Sequence, residues 1–458
     1  SQRFNFDYNQ IISGGKFSSK LTIDSKFENN NSDKWLNEAS IINSYNQNIN
    51  EKFTLNISSA LQTSKDYIQQ TNPNDELSYS NSLKSSLSLT GYNIKKFDDK
   101  INLNITTYQS NQNNEDNKTI PTVLPYTTYH TGIYKYQYYD YSNDLEFYNI
   151  FRDTPTSIHS KAQRKFSSNI KLRNEKIKYG TRINLGLNFY NQFFSVEDKK
   201  INNINISNNY YRSFAILGID FETPFKFKNN FKNIKYTPKL SLVITPGFSN
   251  SEKISNEDSS VNAYTLDNNK NLNRFVGSDK LDNSKRINLS LNLNNKNIDI
   301  NFLQSYEFTN NSNFHYSQGN EKKLSDFLGN FKYQNNFFNT TYNFRYDNYE
   351  GFIKSQNLDL NYENNIGLLK LGYLDQKSKV DEIIVSDNET LSYRIDSKKI
   401  NKFSKISYFG LYDLKEEINK ESGISYSYFD ECFGVNIDFN RNSYTENDLK
   451  PQDILTIM

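Results

Sequence analysis

Histidine, cysteine and paired acids most often carry out chemistry, and here they are sparse and scattered. His130, His159 and His315 are the three histidines, and Cys432 is the one cysteine. None stands at ligand spacing from another, so no metal centre is expected. Asp98–Asp99 and Glu416–Glu417 read as solvated loop charges rather than an acid/base pair. No Gly-x-Ser-x-Gly, Walker A or dinucleotide-binding glycine pattern occurs. No catalytic residue, metal or cofactor is therefore assigned, and no enzyme is expected. Polar chemistry concentrates instead in one long stretch. It holds Asn256, Glu257, Asp258 and Ser259, then Asn273, Arg274, Gly277 and Asp279, and Arg286 just beyond. Arginine forks among carboxylates form charge-assisted pairs. The stretch reads either as a mobile outside loop or as a segment folded into a lumen through such pairs.

The elements that must hold it are strands. Only 35% of the 458 residues are hydrophobic and mean hydropathy is −0.82, yet 34 Tyr and 33 Phe argue against disorder. Net charge is +2, so no basic nucleic-acid surface is implied. No run of 18 apolar residues marks a membrane helix. The dominant period is two. Ile183, Leu185, Leu187 and Phe189 alternate with polar residues, as do Ile287, Leu289, Leu291 and Leu293. Such segments of about ten residues, joined by alternating short and long connections, describe a membrane barrel. Short turns are expected at 295–297, 335–338, 364–366 and 430–431, and long loops at 309–324 and 378–390.

The fold class is thus all-β: a large antiparallel transmembrane β-barrel of roughly twenty to twenty-four strands. It occupies 1–458, reads as a stretch cut at both ends, and carries a long outer-side or lumenal loop at 249–284. The outward faces should include the two apolar sets above. A barrel that wide is too broad for side chains to fill, so it is a channel or holds a plug. The tyrosine run at 134–151 fits a membrane-interface girdle. A soluble β-solenoid would show one fixed repeat length, which is missing.

Several segments, in order, resemble the LptD family of lipopolysaccharide-assembly outer-membrane proteins. They are "SDKWL" at 32–36, "LPYT" at 124–127, "NEDS" at 256–259, "LD" at 266–267, "NRFVGSDK" at 273–280, Arg286, and "YSYFDECFGVNIDFNR" at 426–441. The resemblance implies lipopolysaccharide transport and insertion into the outer leaflet of a Gram-negative cell outer membrane, through a polar lumen and a lateral gate. It implies an LptE-like plug lipoprotein as partner. It also implies periplasmic lipopolysaccharide-bridge components, reached through an N-terminal jellyroll outside this stretch. The family's gate is associated with early prolines, and here the first proline is Pro73. The alternative is another large outer-membrane barrel, a nutrient receptor or porin; a surface-exposed β-rich binding protein is a third reading. Cys432 follows the short turn at 430–431 and shares parity with Gly434, Asn436 and Asp438, on the polar face at the periplasmic mouth. The resemblance implies a disulfide from Cys432 to a partner outside this stretch.

Overall fold

The computed structural model describes residues 2–457 except 29–33, 66, 72–75, 113–114, 228–232, 248–249, 262–263, 310, 312–313, 315–318, 320–321, 381–382, 399–402, 431–432 and 444–451. Cys432, His315, Ser32 and Asp33 lie outside the described residues.

Period-two sequence makes strands because successive side chains point to opposite faces. The chain opens with β1 (Gln2–Ile12), β2 (Gly15–Glu28), β3 (Lys34–Asn48) and β4 (Phe53–Gln62). A helical turn, α1 (Tyr67–Thr71), precedes β5 (Ser82–Tyr92), β6 (Lys100–Ser110), β7 (Thr122–His130), β8 (Tyr134–Tyr136) and β9 (Tyr139–Phe151). Three long strands follow, β10 (Ala162–Lys178), β11 (Thr181–Ile201) and β12 (Ile204–Glu222), then β13 (Phe225–Lys226) and β14 (Lys235–Ile244). A two-stranded ribbon, β15 (Ser260–Val261) and β16 (Phe275–Val276), interrupts the 245–284 connection. The next strands are β17 (Lys285–Asn294), β18 (Ile298–Glu307), β19 (Phe327–Gln334), β20 (Phe338–Asp347) and β21 (Phe352–Glu363). The last are β22 (Gly367–Val380), β23 (Ile383–Ser397), β24 (Ser404–Asp413), β25 (Ile418–Phe429), β26 (Gly434–Asn442) and β27 (Gln452–Ile457).

Apart from the β15–β16 ribbon and the short side strands β8 and β13, each strand pairs antiparallel with the next, giving a serial wall of 23 strands. That falls within the expected range. Among the described residues, β1 is laddered to β2 and β27 to β26, and no ladder joins β1 to β27. No described helix is long and apolar enough to cross a membrane.

The two faces differ along matching registers. Leu185, Ile219, Leu242 and Ile287 are successive cross-strand partners on one face. The next row, Asn184, Asp220, Ser241, Asn288 and Ser305, lies on the other. Apolar side chains of the first face stand exposed, Leu289 at 60%. An open apolar face of this kind is what a barrel presents to lipid.

From β17 onward the connections alternate in length as expected, with one correction. The proposed long loop at 378–390 is mostly strand: β22 runs to Val380 and β23 starts at Ile383. Lys377 and Asp387, Gln376 and Asn388, and Asp375 and Glu389 pair across the hairpin. These polar pairs need no apolar face, so hydropathy hides the strands. A second correction concerns Asp99, which is buried and accepts the backbone N–H groups of Ile94 and Lys95 at 2.6 and 2.9 Å.

Wall height is uneven at the long-loop end. β14 meets β12 from Leu217 onward, so β12 continues thirteen residues past its neighbour, from Ile204 to Ile216. The connection from β14 to β17 turns back onto the polar face of this taller section.

Candidate functional site

The 245–284 connection is held on the polar wall at two charge centres. At the first, Lys165 of β10 reaches its fully buried ammonium toward three carboxylates: Asp258, Asp279 at 2.9 Å and Glu146 at 3.2 Å. A buried ammonium needs all three protons satisfied, and Ser278 Oγ accepts as well, at 2.9 Å. Tyr148 of β9 donates to Asp279 at 2.7 Å. Gln163 locks Ser255 from both sides, donating to its carbonyl at 2.8 Å and accepting its N–H at 2.9 Å. Arg212 of β12 donates to the Ser278 and Asp279 carbonyls, each at 2.9 Å. Arg152 grips Glu257 with both terminal nitrogens, at 3.1 and 2.6 Å. Wall residues from β9 to β12 thus hold 255–259 and 277–279 together.

Local geometry explains the residue types. Gly277 has φ +81°, and a Cβ there would lie 2.3 Å from the Asp258 carbonyl oxygen. Both facts demand glycine. Asn256 and Ser259 close their own turn, Asn256 donating to the Ser259 carbonyl at 2.7 Å and accepting its N–H at 3.1 Å. Asn273 Oδ1 accepts the Asp282 N–H at 3.0 Å, tying β16's approach to the exit toward β17.

At the second centre, Arg274 donates to Asp282 at 2.6 Å and to Glu307 of β18 at 2.5 Å. Arg286 of β17, itself fully buried, donates to Asp282 at 3.1 Å and to the Asn271 carbonyl at 2.6 Å. Two guanidinium groups and two carboxylates balance here, and the Arg274 guanidinium also lies 4.6 Å from the Phe314 ring centre.

Between the two centres sits an apolar lock. Gly186 and Gly218 are direct partners across β11 and β12. Leu272 occupies the space their missing Cβ atoms leave, 3.3 and 2.3 Å from where those atoms would stand. It packs against Tyr190, Phe214, Ile216, Val243 and Leu281.

The fields follow from this packing. Burial opposes charge on Glu257, but His159 and Arg152 beside it outweigh that and hold its pKa down at about 2. Burial likewise opposes charge on Asp258, and Lys165 overrides it, leaving that pKa below the ordinary value. Asp279 goes the other way, up to about 6, driven first by burial and then by the Asp258 charge. With three carboxylates around one ammonium, one of them is the natural proton acceptor. Asp282 stays low because Arg274 and Arg286 outweigh its burial.

Asn256, Glu257, Asp258, Ser259, Asn273, Arg274, Gly277, Asp279 and Arg286 therefore meet in one loop assembly. Sequence reading missed the wall's share: Lys165, Tyr148, Arg152, Gln163, Arg212 and Glu307, with Gly186 and Gly218. Tyr148, read as part of an interface girdle, is instead fully buried against Asp279. His130 pairs with Asp144 at 2.5 Å, and His159 stands 3.5 Å from Glu257. Among the described residues no cluster of histidine, cysteine and acids is arranged to hold a metal. The polar contacts described tie the connection to the wall and to itself, which makes the assembly a mechanical fixture.

Among solved structures, the copper transporter OprC aligns over 99% of this chain and 76% of its own, at 8% identity and a TM-score of 0.45. No curated protein matches the chain. The family described as "LptD: LPS transport system D" matches residues 38–417, from β3 to the turn before β25 and across both charge centres. The chain, a large antiparallel outer-membrane-type β-barrel wall, belongs to the LptD family, a transport and assembly family rather than one of enzymes.

Proposed function

We propose that this chain forms the membrane wall through which lipopolysaccharide reaches the outer leaflet of a Gram-negative outer membrane. The observation that carries the reading is the charge-anchored 245–284 segment, folded onto the polar face of a wall whose opposite face is apolar. A sugar-phosphate headgroup stripped of water is costly unless polar groups receive it. The polar face offers such groups, while acyl chains pass toward hydrocarbon through a lateral opening between strands. No bond is made or broken. The long-loop end faces outward and the short turns face the periplasm. A lumen bounded by 23 strands suits an LptE-like plug lipoprotein, and Cys432 suits a disulfide to a periplasmic part of the same assembly. That bridge would be read as a reductant-sensitive gel shift lost in Cys432→Ser.

The test is depletion of the protein in its native host, with labelling of surface lipopolysaccharide. Newly made lipopolysaccharide should accumulate inside the outer membrane and vanish from the surface. Undiminished surface labelling overturns the proposal.

A further inference from the structure

A row of asparagines crosses the polar wall beside the loop. Asn292, Asn301, Asn330, Asn343 and Asn357 are successive register partners on β17, β18, β19, β20 and β21. Adjacent strands lie about 4.8 Å apart, so the row presents one carboxamide at each such step over about 19 Å. Its members bond to one another: Asn292 donates to Asn301 at 2.8 Å, Asn301 to Asn330 at 3.4 Å and Asn330 to Asn343 at 2.6 Å. These bonds orient the first four amides, and Asp359 holds the fifth, Asn357.

They do not exhaust these groups. A carboxamide has two donor protons and two acceptor lone pairs. In the ladder Asn330 uses two of these four positions and Asn343 one, while Asn357 spends one on Asp359 at 2.8 Å. The remaining positions open onto a cavity of about 620 Å³, bounded on the far side by the loop from Tyr264 to Lys270. That volume lies within the range of small-ligand sites. The loop side is itself fixed, since Tyr264 packs on Leu303 and Leu328 and donates to Ser325 at 2.6 Å.

We infer that this amide row is a binding track for an uncharged saccharide chain lying across the strands. Sugar hydroxyls are paired donors and acceptors, the pattern a carboxamide offers, and a row of neutral amides has no preference for phosphate. Nearby charges are mixed in sign: Asp299 and Asp267 face Lys270, Lys332 and Arg345 around the same cavity. Arg345 is already held by Asp326 at 2.9 Å. The inference rests on the proposed function only for the source of the saccharide, a lipopolysaccharide core; the track itself is argued from geometry.

The experiment uses the purified full-length protein in detergent, with calorimetric titration. Two probes are used: dephosphorylated core oligosaccharide released from lipopolysaccharide, and maltoheptaose. The variant is Asn330→Leu with Asn343→Leu, and the control is Ser44→Ala with Ser58→Ala, register partners on β3 and β4. Heat-modifiable gel mobility reports that each variant is folded. Loss of two or more hydrogen bonds predicts at least about tenfold weaker binding for the asparagine variant and little change for the control. If both probes bind, the track reads hydroxyls in general; if only the core oligosaccharide binds, it is fitted to lipopolysaccharide. Binding of neither, or equal loss in both variants, overturns the track. Single conservative changes, Asn330→Asp and Asn343→Asp, give a second measure should the leucine pair not fold: unchanged affinity in both overturns it too. Surface lipopolysaccharide labelling, measured separately, distinguishes failure of the track from failure of the transport reading.

Discussion

Asp258 and Asp279 cap each other. Asp258 Oδ1 accepts the Asp279 N–H at 2.8 Å, and Asp279 Oδ2 accepts the Asp258 N–H at 3.0 Å. The reciprocal bonds join two turns of the loop, and Lys165 reaches both carboxylates from the wall. Removing the shared cation leaves buried acids facing one another. Lys165→Met should therefore weaken the loop's docking by about 3–5 kcal/mol. Hydrogen–deuterium exchange should show amides of 255–261 and 275–284 losing protection while the wall strands keep theirs. Unchanged loop protection would show that Lys165 does not hold it.

Acid should first tighten this docking and then loosen it. Asp279, raised from 3.8 to about 6, binds a proton more tightly when docked, so its contribution is lost as pH rises through 6 and fully present below 3.8. Glu257, lowered from 4.5 to about 2, contributes above 4.5 and loses that contribution as pH falls toward 2. Asp258 is also lowered and acts in the same direction as Glu257. Loop protection, corrected for intrinsic exchange, should then peak between about pH 3.8 and 4.5, where the two contributions cross. Asp279→Asn should remove the rise between pH 7 and 5 and leave the acid limb. A monotonic profile in the native protein would contradict these assignments.

The strands were legible where lipid demands alternation. β17 and β18 end within one residue of the turn expected at 295–297 and the loop expected at 309–324, because Ile287, Leu289, Leu291 and Leu293 leave no other register. Toward the hairpin tip that demand ends and polar pairs such as Lys377–Asp387 and Gln376–Asn388 carry the ladder, which is why 378–390 read as loop. The loop's own residues were legible too, because arginine and aspartate among serine and asparagine are unusual. Their partners were not: Lys165 lies 93 residues from Asp258, and only a folded wall brings them together. One signal went unused. An isolated glycine inside a strand pattern marks close backbone approach, and Gly186 and Gly218 both interrupt alternating runs.

That pair offers a direct test of the lock. A methyl group at Gly218 would meet Leu272 Cδ2 at 2.3 Å, whereas one at Gly186 would meet Cδ1 at 3.3 Å. Gly218→Ala should weaken loop docking by about 1–3 kcal/mol, and Gly186→Ala should cost less. Leu272→Ala removes the clash, so it should cost less in the Gly218→Ala background than alone. A double-mutant cycle on loop protection reads this as a coupling of about 0.5 kcal/mol or more. Strict additivity would place Leu272 elsewhere.

The two faces of β17 make opposite predictions for the same substitution. Leu289 is 60% exposed at mid-height of the apolar face, between Leu240 and Gln304 of its neighbours. In lipid, an arginine there loses its hydration, so Leu289→Arg should destabilise the barrel by about 2–4 kcal/mol. Asn292 lies three residues along, on the polar face, and donates to Asp299 at 2.7 Å. Asn292→Arg keeps a carboxylate within reach and stays in a watery lumen, so folding should be nearly unaffected. Urea unfolding of each variant in lipid vesicles, followed by heat-modifiable mobility, separates the cases. Equal loss in both would mean that the apolar face does not meet lipid, and the membrane orientation of the whole wall would have to be reversed or abandoned.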